Sequence, residues 1–141
     1  MDLTVRPASA PAEVAQALEI RRRVFIEEQG VDAALEHDAH DASCEHLIAL
    51  LGARVVGTAR YRRTERGVKL ERFAVLAEFR GRGAGAALVR CAIARLPAGS
   101  AVYLHAQQSA LGFWERMGFV AEGPEFREAD IPHRLMRRAN G

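Results

Sequence analysis

The chain has 141 residues, 49% of them hydrophobic, and its 20 basic and 18 acidic residues give a formal net charge of +2 at pH 7. A chain of this length forms one domain, here residues 1–141, and buries enough surface to fold without a metal or a disulfide. The balanced charge argues against a nucleic-acid partner, and the longest apolar run, Leu47 to Leu51, is too short to cross a membrane.

The first half of the chain predicts a strand, a helix and an antiparallel meander. Residues Leu3 to Val5 alternate as a short strand, and Ser9 is in position to cap a helix that ends before Gly30. Gly52 and Gly67 mark turns between three strand-like runs. These runs are Glu45 to Leu51, Val55 to Tyr61 and Val68 to Val75.

The second half predicts a helix between two strands and then a further helix and two strands. Apolar residues recur at helical spacing from Ala86 to Leu96. The other predicted elements are a strand from Ala101 to Ala106, a helix capped by Ser109 and ending at Met117, and strands at Phe119 to Glu122 and His133 to Arg137. This order predicts a mixed α/β fold with one parallel strand pair made by a crossover.

Charge is unevenly distributed along the chain. The segment from Val24 to Ala53 contains no Lys or Arg but holds seven acids, namely Glu27, Glu28, Asp32, Glu36, Asp38, Asp41 and Glu45. Between Phe79 and Trp114 there is no acid at all. Such a pattern is most often a solvated surface, and it also suits an acceptor site and an anion site on different segments.

The acid-free stretch begins with Arg80-Gly81-Arg82-Gly83-Ala84-Gly85, directly before the predicted helix at Ala86. Glycines let the backbone approach a ligand, and a helix N-terminus directs free N–H groups at an anion. A P-loop would need Lys and Ser or Thr after the last glycine, and this chain has alanines there. A dinucleotide site would need an acid near the end of the next strand, where Leu104-His105-Ala106 stands, so we keep that reading only as a minor alternative.

Three motifs then resemble the GNAT superfamily of acyl-CoA-dependent N-acyltransferases. The first is Glu71-Arg72-Phe73-Ala74-Val75 followed by the R-G-x-G-x-G run at Arg80. The second runs from Ala106 through Phe113-Trp114-Glu115-Arg116-Met117-Gly118-Phe119, and the third, Val24 to Val31, is similar to the ElaA-type branch. The resemblance extends from about Leu3 to Arg137.

The resemblance implies a GNAT fold, with a mixed, mostly antiparallel sheet of about seven strands and about four helices. It implies transfer of an acetyl group from acetyl-CoA to a small-molecule or peptide primary amine in a ternary complex, and a possible homodimer. The coenzyme-binding residues that it implies are Phe73, Ala74 and Val75 along the strand edge and Arg80, Gly81, Arg82, Gly83, Ala84, Gly85 and Ala86 at the diphosphate.

Amine acylation needs removal of a proton, because the neutral form of an amine of pKa about 10.4 costs about 4.6 kcal/mol at pH 7. Glu71, two residues before Phe73, is the leading candidate base, either directly or through water. Its other reading is a carboxylate paired with Lys69 or Arg72. His105, at the end of the neighbouring predicted strand, is the second candidate.

Trp114 stands where many family members have the tyrosine that protonates the departing thiolate, and indole cannot do this at neutral pH. The general acid is therefore unassigned. A non-catalytic acyl-CoA sensor is an alternative function. If the acids upstream of Ala53 wall the acceptor site, they favour a cationic amine.

The run Glu36 to Asp41 lacks the spacing of a metal site, and no metal is expected. Cys44 and Cys91 lack CxxC spacing and an evident His partner, and no signal-peptide core precedes them, so we expect inert thiols in the cytoplasm.

Overall fold

Seven strands form one mixed sheet in the computed structural model, which describes residues 2–139. In chain order, β1 to β7 are Leu3–Pro7, Glu45–Leu51, Arg54–Thr64, Gly67–Val75, Val102–Gln107, Phe119–Glu128 and Ile131–Arg138. Their order across the sheet is β1-β2-β3-β4-β5-β7-β6, and β4–β5 is the parallel pair. The predicted meander, crossover and mixed sheet are confirmed.

Four α-helices accompany the sheet: α1 Pro11–Arg21, α2 Ala33–Glu36, α3 Ala84–Ala94 and α4 Leu111–Arg116. A π-helical segment, Arg22–Glu28, continues α1 directly and ends before Gly30, whose φ of 74° suits glycine. The predicted cap at Ser9 is wrong, because α1 begins at Pro11 and Ser9 instead hydrogen-bonds the Glu13 carboxylate. No helix within residues 2–139 is long and apolar enough to span a membrane.

The two faces of the sheet are covered by different helices. Side chains of successive strand residues point to opposite faces, and in β2 this places Leu47 in the cluster that contains Leu88 of α3. Ile48, the next residue, packs with Ala17 of α1. The central strands are therefore buried on both sides, which explains the near-continuous apolar sequence of β2.

The last two strands form a hairpin longer than the sequence predicts. A register shift between Glu122 and Phe126 accommodates the Gly-Pro interruption, and the strands resume beyond it. The turn is made by Ala129 and Asp130, both at positive φ, so that Glu128 faces Ile131 across the hairpin. No glycine marks this turn, and for that reason the sequence does not reveal it.

Both helices of the second half also have shifted starts. α3 begins at Ala84, two residues before the predicted start, since Gly83 supplies the left-handed N-cap. α4 begins at Leu111 without a side-chain cap, because Ser109 lies in a preceding 3-10 turn. The predicted capping role of Ser109 is therefore wrong.

Candidate active site

A cleft opens where the two parallel strands diverge. β4 and β5 pair at Val68–Val102, Lys69–Tyr103 and Leu70–Leu104, and no pairing follows toward their C-terminal ends. The bulge in β4 lies just beyond this point, with Arg72 at φ 57°. The cleft holds a cavity of about 1020 Å³ that is lined by the divergent halves of both strands and by the start of α3.

The glycine loop forms one end of this cavity. Gly81 and Gly83 have φ of 80° and 84°, and a Cβ placed on either would meet nothing within 4 Å. Among residues 2–139, no protein acceptor faces the backbone N–H groups from Gly81 to Ala86. The first turn of α3 contains no acid. This arrangement offers an anion several N–H donors and the positive end of a helix.

The two arginines of the loop differ in their surroundings. Arg80 makes a double ion pair with Glu28 at 2.6 and 2.7 Å and donates to the Val75 carbonyl at 2.9 Å. Arg82 is exposed, its guanidinium lies 5.7 Å from the Phe79 ring centre, and it does not line the cavity. The other residues predicted to bind the coenzyme do line it.

The open edge of β4 presents alternate peptide groups to the cleft. Leu76 N–H donates to the Val56 carbonyl of β3 at 2.9 Å, so by alternation the peptide groups of Ala74 face β3 and those of Phe73 and Val75 face the cleft. The Ala74 side chain packs against Ile20 and Val24. Phe73 and the N–H of Val75 therefore offer backbone groups to the cleft, while the Val75 carbonyl accepts from Arg80. Ala74 lines the cavity without offering its peptide groups.

The π-helical segment and the residue after it tie both sides of the cleft together. Glu28 holds Arg80 on the β4 side, and Gln29 accepts a hydrogen bond from the Gln107 side chain of β5 at 2.8 Å. Val24, Phe25 and Gln29 line the cavity. π-Helical turns recur at functional sites because they offset the side chains that follow.

Glu71 lies in a group of three cations. Its carboxylate accepts from Arg60 at 3.1 Å, Arg62 at 2.8 Å and Lys69 at 3.1 Å, and its side chain is 6% exposed. Burial alone would raise the pKa of Glu71, but the Arg62 hydrogen bond and the charges of Arg60 and Lys69 outweigh it and lower the pKa to about 2. Such a carboxylate is a weak proton acceptor.

His105 forms a pair with a carboxylate that the sequence did not indicate. Its Nδ1 lies 2.9 Å from Glu128 Oε1, and this hydrogen bond lowers the pKa of Glu128. An ionised carboxylate only accepts, so Nδ1 is the donor in this pair, and in a neutral imidazole with that tautomer Nε2 is the acceptor. His133 lies 3.8 Å from the other oxygen of Glu128, and all three side chains line the cavity.

Trp114, where the resemblance leads us to expect a tyrosine, packs within an aromatic cluster. It is 6% exposed and makes edge-to-face contacts with Phe73, Phe113 and Phe119 at centroid distances of 5.1 to 5.3 Å. Indole has no proton to give at neutral pH. Its role in this structure is therefore to pack the wall of the cleft.

The acids around α2 are neutralised by arginines. These pairs join Glu36 to Arg21 and Arg72, Asp38 to Arg60 and Arg72, and Asp41 to Arg21 and Arg60. Hydrogen bonding from Arg60 lowers the pKa of Asp38 to about 2. The acidic segment does line the cavity, through Glu36 and Asp38. These acids already carry cationic partners, which disfavours the predicted preference for a cationic acceptor and leaves it an untested prediction.

One group in residues 2–139 has the composition of a metal site: the ligand atoms of Asp41, Cys44 and His46 lie within 4.8 Å of one another. Asp41 already accepts from two arginines, and His46 Nε2 lies 2.9 Å from the Asp41 carbonyl. A cation would have to displace these partners, so the donor set does not fit a metal.

Comparison with known proteins identifies the family. A family model described as "Acetyltransferase (GNAT) domain" matches residues 7–139, and the chain belongs to this family. It is 33% identical to the uncharacterized N-acetyltransferase YjcF of Bacillus subtilis, over 89% of this chain and 92% of that protein. The motif-based assignment to the GNAT superfamily is confirmed.

Solved structures agree with this assignment. The chain is 31% identical to an acyl-CoA N-acyltransferase from Pseudomonas aeruginosa, with a TM-score of 0.82 and 98% and 99% of the two chains covered. Escherichia coli ElaA superimposes with a TM-score of 0.85 at 23% identity, over 97% of this chain and 99% of that one, which shows the shared fold. The chain thus belongs to the GNAT acetyltransferase family and has its fold.

The cavity fits the acyl-CoA that this class uses. Free N–H groups at one end suit a diphosphate, and open strand-edge peptides suit an amide-bearing arm. The sequence did not indicate Glu128, because the Gly123-Pro124 pair interrupts β6 and the strand resumes only beyond it. No sequence motif marks Arg62 or Lys69 as site residues. Only the pairing of β3 with β4 shows that the two are neighbours.

Proposed function

We propose that this protein transfers an acetyl group from acetyl-CoA directly to a primary amine within a ternary complex. The observation that carries the proposal is one continuous cavity that joins the glycine loop, the open edge of β4 and the His105–Glu128 pair. Both cysteines, Cys44 and Cys91, are free thiols, which fits the reducing cytoplasm.

In this proposal the glycine loop and the strand edge bind the donor. The N–H groups from Gly81 to Ala86 receive the diphosphate, and the exposed Arg82 adds positive charge at the rim, whereas Arg80 is paired with Glu28. The cleft-facing peptides of Phe73 and Val75 bind the amide-bearing arm, and an N–H group there receives the negative charge that develops on the carbonyl oxygen. Acetyl-CoA supplies the activated acyl thioester.

His105 is the base that we propose for the amine. Glu128 fixes the imidazole through Nδ1, so Nε2 is the atom that accepts the proton. Glu71, the leading candidate from the sequence, remains an untested prediction, and its environment disfavours it. With its pKa near 2, a proton moved to it from an ordinary ammonium group would travel uphill by about 11 kcal/mol.

The thiol leaves without a dedicated acid in this scheme. A thiol of pKa about 8.5 is only about 2 kcal/mol from its ionised form at pH 7. The buried Trp114 therefore does not prevent turnover.

A thiol-release assay tests the proposal. The protein is mixed with acetyl-CoA and a panel of primary amines, and free coenzyme thiol is measured with a chromogenic disulfide. Release that rises and saturates with amine concentration is expected. Thermal stabilisation by acetyl-CoA without release across the panel would instead identify a non-catalytic acyl-CoA sensor.

A further inference from the structure

The closed end of the cavity has its carboxylates occupied. Both oxygens of Glu71 accept from cations, and its side chain is 6% exposed. Asp38 accepts from Arg60 through both oxygens, whereas Glu128 accepts a hydrogen bond from His105 through one oxygen. A cationic group that entered here would find Glu71 and Asp38 already paired.

Two cations at the same place keep unused donors. Arg62 binds Glu71 through Nε and one terminal nitrogen, and its other terminal nitrogen has no partner among residues 2–139. Lys69 has three N–H groups and one carboxylate partner in that part of the chain, Glu71 at 3.1 Å. The side chains of Arg62 and Lys69 are 24% and 13% exposed, more than Glu71, and both line the cavity.

The position of these donors separates them from the coenzyme end. Lys69 lies six residues before Val75 on β4, about 20 Å along an extended strand. It is also in register with Tyr103 at the closed end of the split, opposite the glycine loop. Arg62 and Lys69 are therefore too far from Gly81 and Gly83 to share one anion with them.

We propose that the acceptor is an amine that also carries a carboxylate, which Lys69 and Arg62 bind. The inference rests on the proposed N-acyltransferase function and names its substrate class. The amine has given up its proton, and with it its charge, by the time it attacks, so a charged group elsewhere on the molecule keeps the acceptor bound through that step. The unused donors of Arg62 and Lys69 give a carboxylate charge-assisted hydrogen bonds.

A matched pair of acceptors tests the proposal: 6-aminohexanoate and 6-aminohexanamide. Their amines are insulated by five methylenes and have nearly the same pKa, so the carboxylate is the difference that matters. We expect kcat/KM for the carboxylate to exceed that for the amide by about tenfold or more. Lys69→Gln and, separately, Arg62→Gln should remove most of this preference, while Arg66→Gln, at an exposed turn residue, should keep it.

The acetylated products give a readout that needs no turnover. Calorimetric binding of 6-acetamidohexanoate, but not of its carboxamide, is expected for the wild type and for Arg66→Gln. Turnover with equal kcat/KM for both acceptors would overturn the carboxylate proposal alone. Carboxylate-selective binding without release of coenzyme thiol would overturn the proposed function and leave the anion site standing. Unchanged preference in both the Lys69 and the Arg62 variants would also refute the site.

Discussion

Replacing Glu71 with glutamine tests whether this residue stabilises the fold or accepts a proton. The change removes a carboxylate shared by Arg60, Arg62 and Lys69 while it keeps nearly the same shape. Arg60 is 1% exposed, so water cannot replace the lost partner. Loss of one member of a buried charge group leaves its partners uncompensated and destabilises the protein.

The size of the effect follows from the pKa of Glu71, which falls from an ordinary 4.5 to about 2 on folding. A carboxyl group whose pKa is lowered contributes its stability above the unfolded pKa, and that stability is lost as the pH falls from about 4.5 toward 2. A shift of this size is worth about 3 kcal/mol at pH 7. The Glu71→Gln variant should therefore be about 3 kcal/mol less stable at pH 7, and the difference should shrink toward pH 2.

Urea denaturation at pH 7 and pH 3 measures this difference, and a loss of about 3 kcal/mol corresponds to a midpoint shift of about 1–3 M urea. Glu125→Gln, at an exposed glutamate of β6, is the matched control and should change stability little at either pH. A loss below about 1 kcal/mol at pH 7, or one that does not depend on pH, would refute this account of Glu71. A fully stable variant with kcat lowered by 100-fold or more would show instead that Glu71 is the base.

Three further substitutions probe the donor site, the proton acceptor and the residue that positions it. Gly83→Asp should weaken acetyl-CoA binding by about 100-fold or more through crowding and repulsion of the diphosphate; Gly99→Asp, at a glycine with φ of 81° and equally open space, controls for backbone strain. Equal acetyl-CoA affinity in calorimetry for both variants would exclude the glycine loop as the diphosphate site. His105→Gln should lower kcat by about 100-fold or more with the acetyl-CoA affinity unchanged. Glu128→Gln should lower kcat less, by about tenfold, with KM for the amine retained, because it positions His105; a kcat within twofold of wild type in the His105 variant would argue against the base assignment.

The sequence predicts the central part of the fold because local signals agree there. β2, β3 and β4 are apolar runs separated by turns at Gly52 and Gly67, and the glycine loop directly precedes α3. Each of these features depends on neighbouring residues alone. The hairpin of β6 and β7 lacks such a signal, since its turn is Ala129-Asp130 and a Gly-Pro pair interrupts its first strand.

The electrostatics of the site could not be predicted in the same way. Arg21 binds Glu36 and Asp41, and Arg72 binds Glu36, through pairs that are 15 to 36 residues apart in the chain. Charge counting along the chain treats these acids as free, whereas the fold surrounds them with arginines. The same folding surrounds the Glu71 carboxylate with Arg60, Arg62 and Lys69 and leaves Lys69 with unused N–H donors.

The most direct test of the central claim is the mass of the products. The protein is incubated with acetyl-CoA and 6-aminohexanoate. Mass spectrometry then measures the masses of the amine, the coenzyme and the intact protein. We predict one acetylated amine for each coenzyme released, with no acetyl group on the protein when the amine is omitted. Acetyl-CoA that binds but never yields the free coenzyme thiol would contradict direct transfer. So would an acetylated protein that forms before the amine is added.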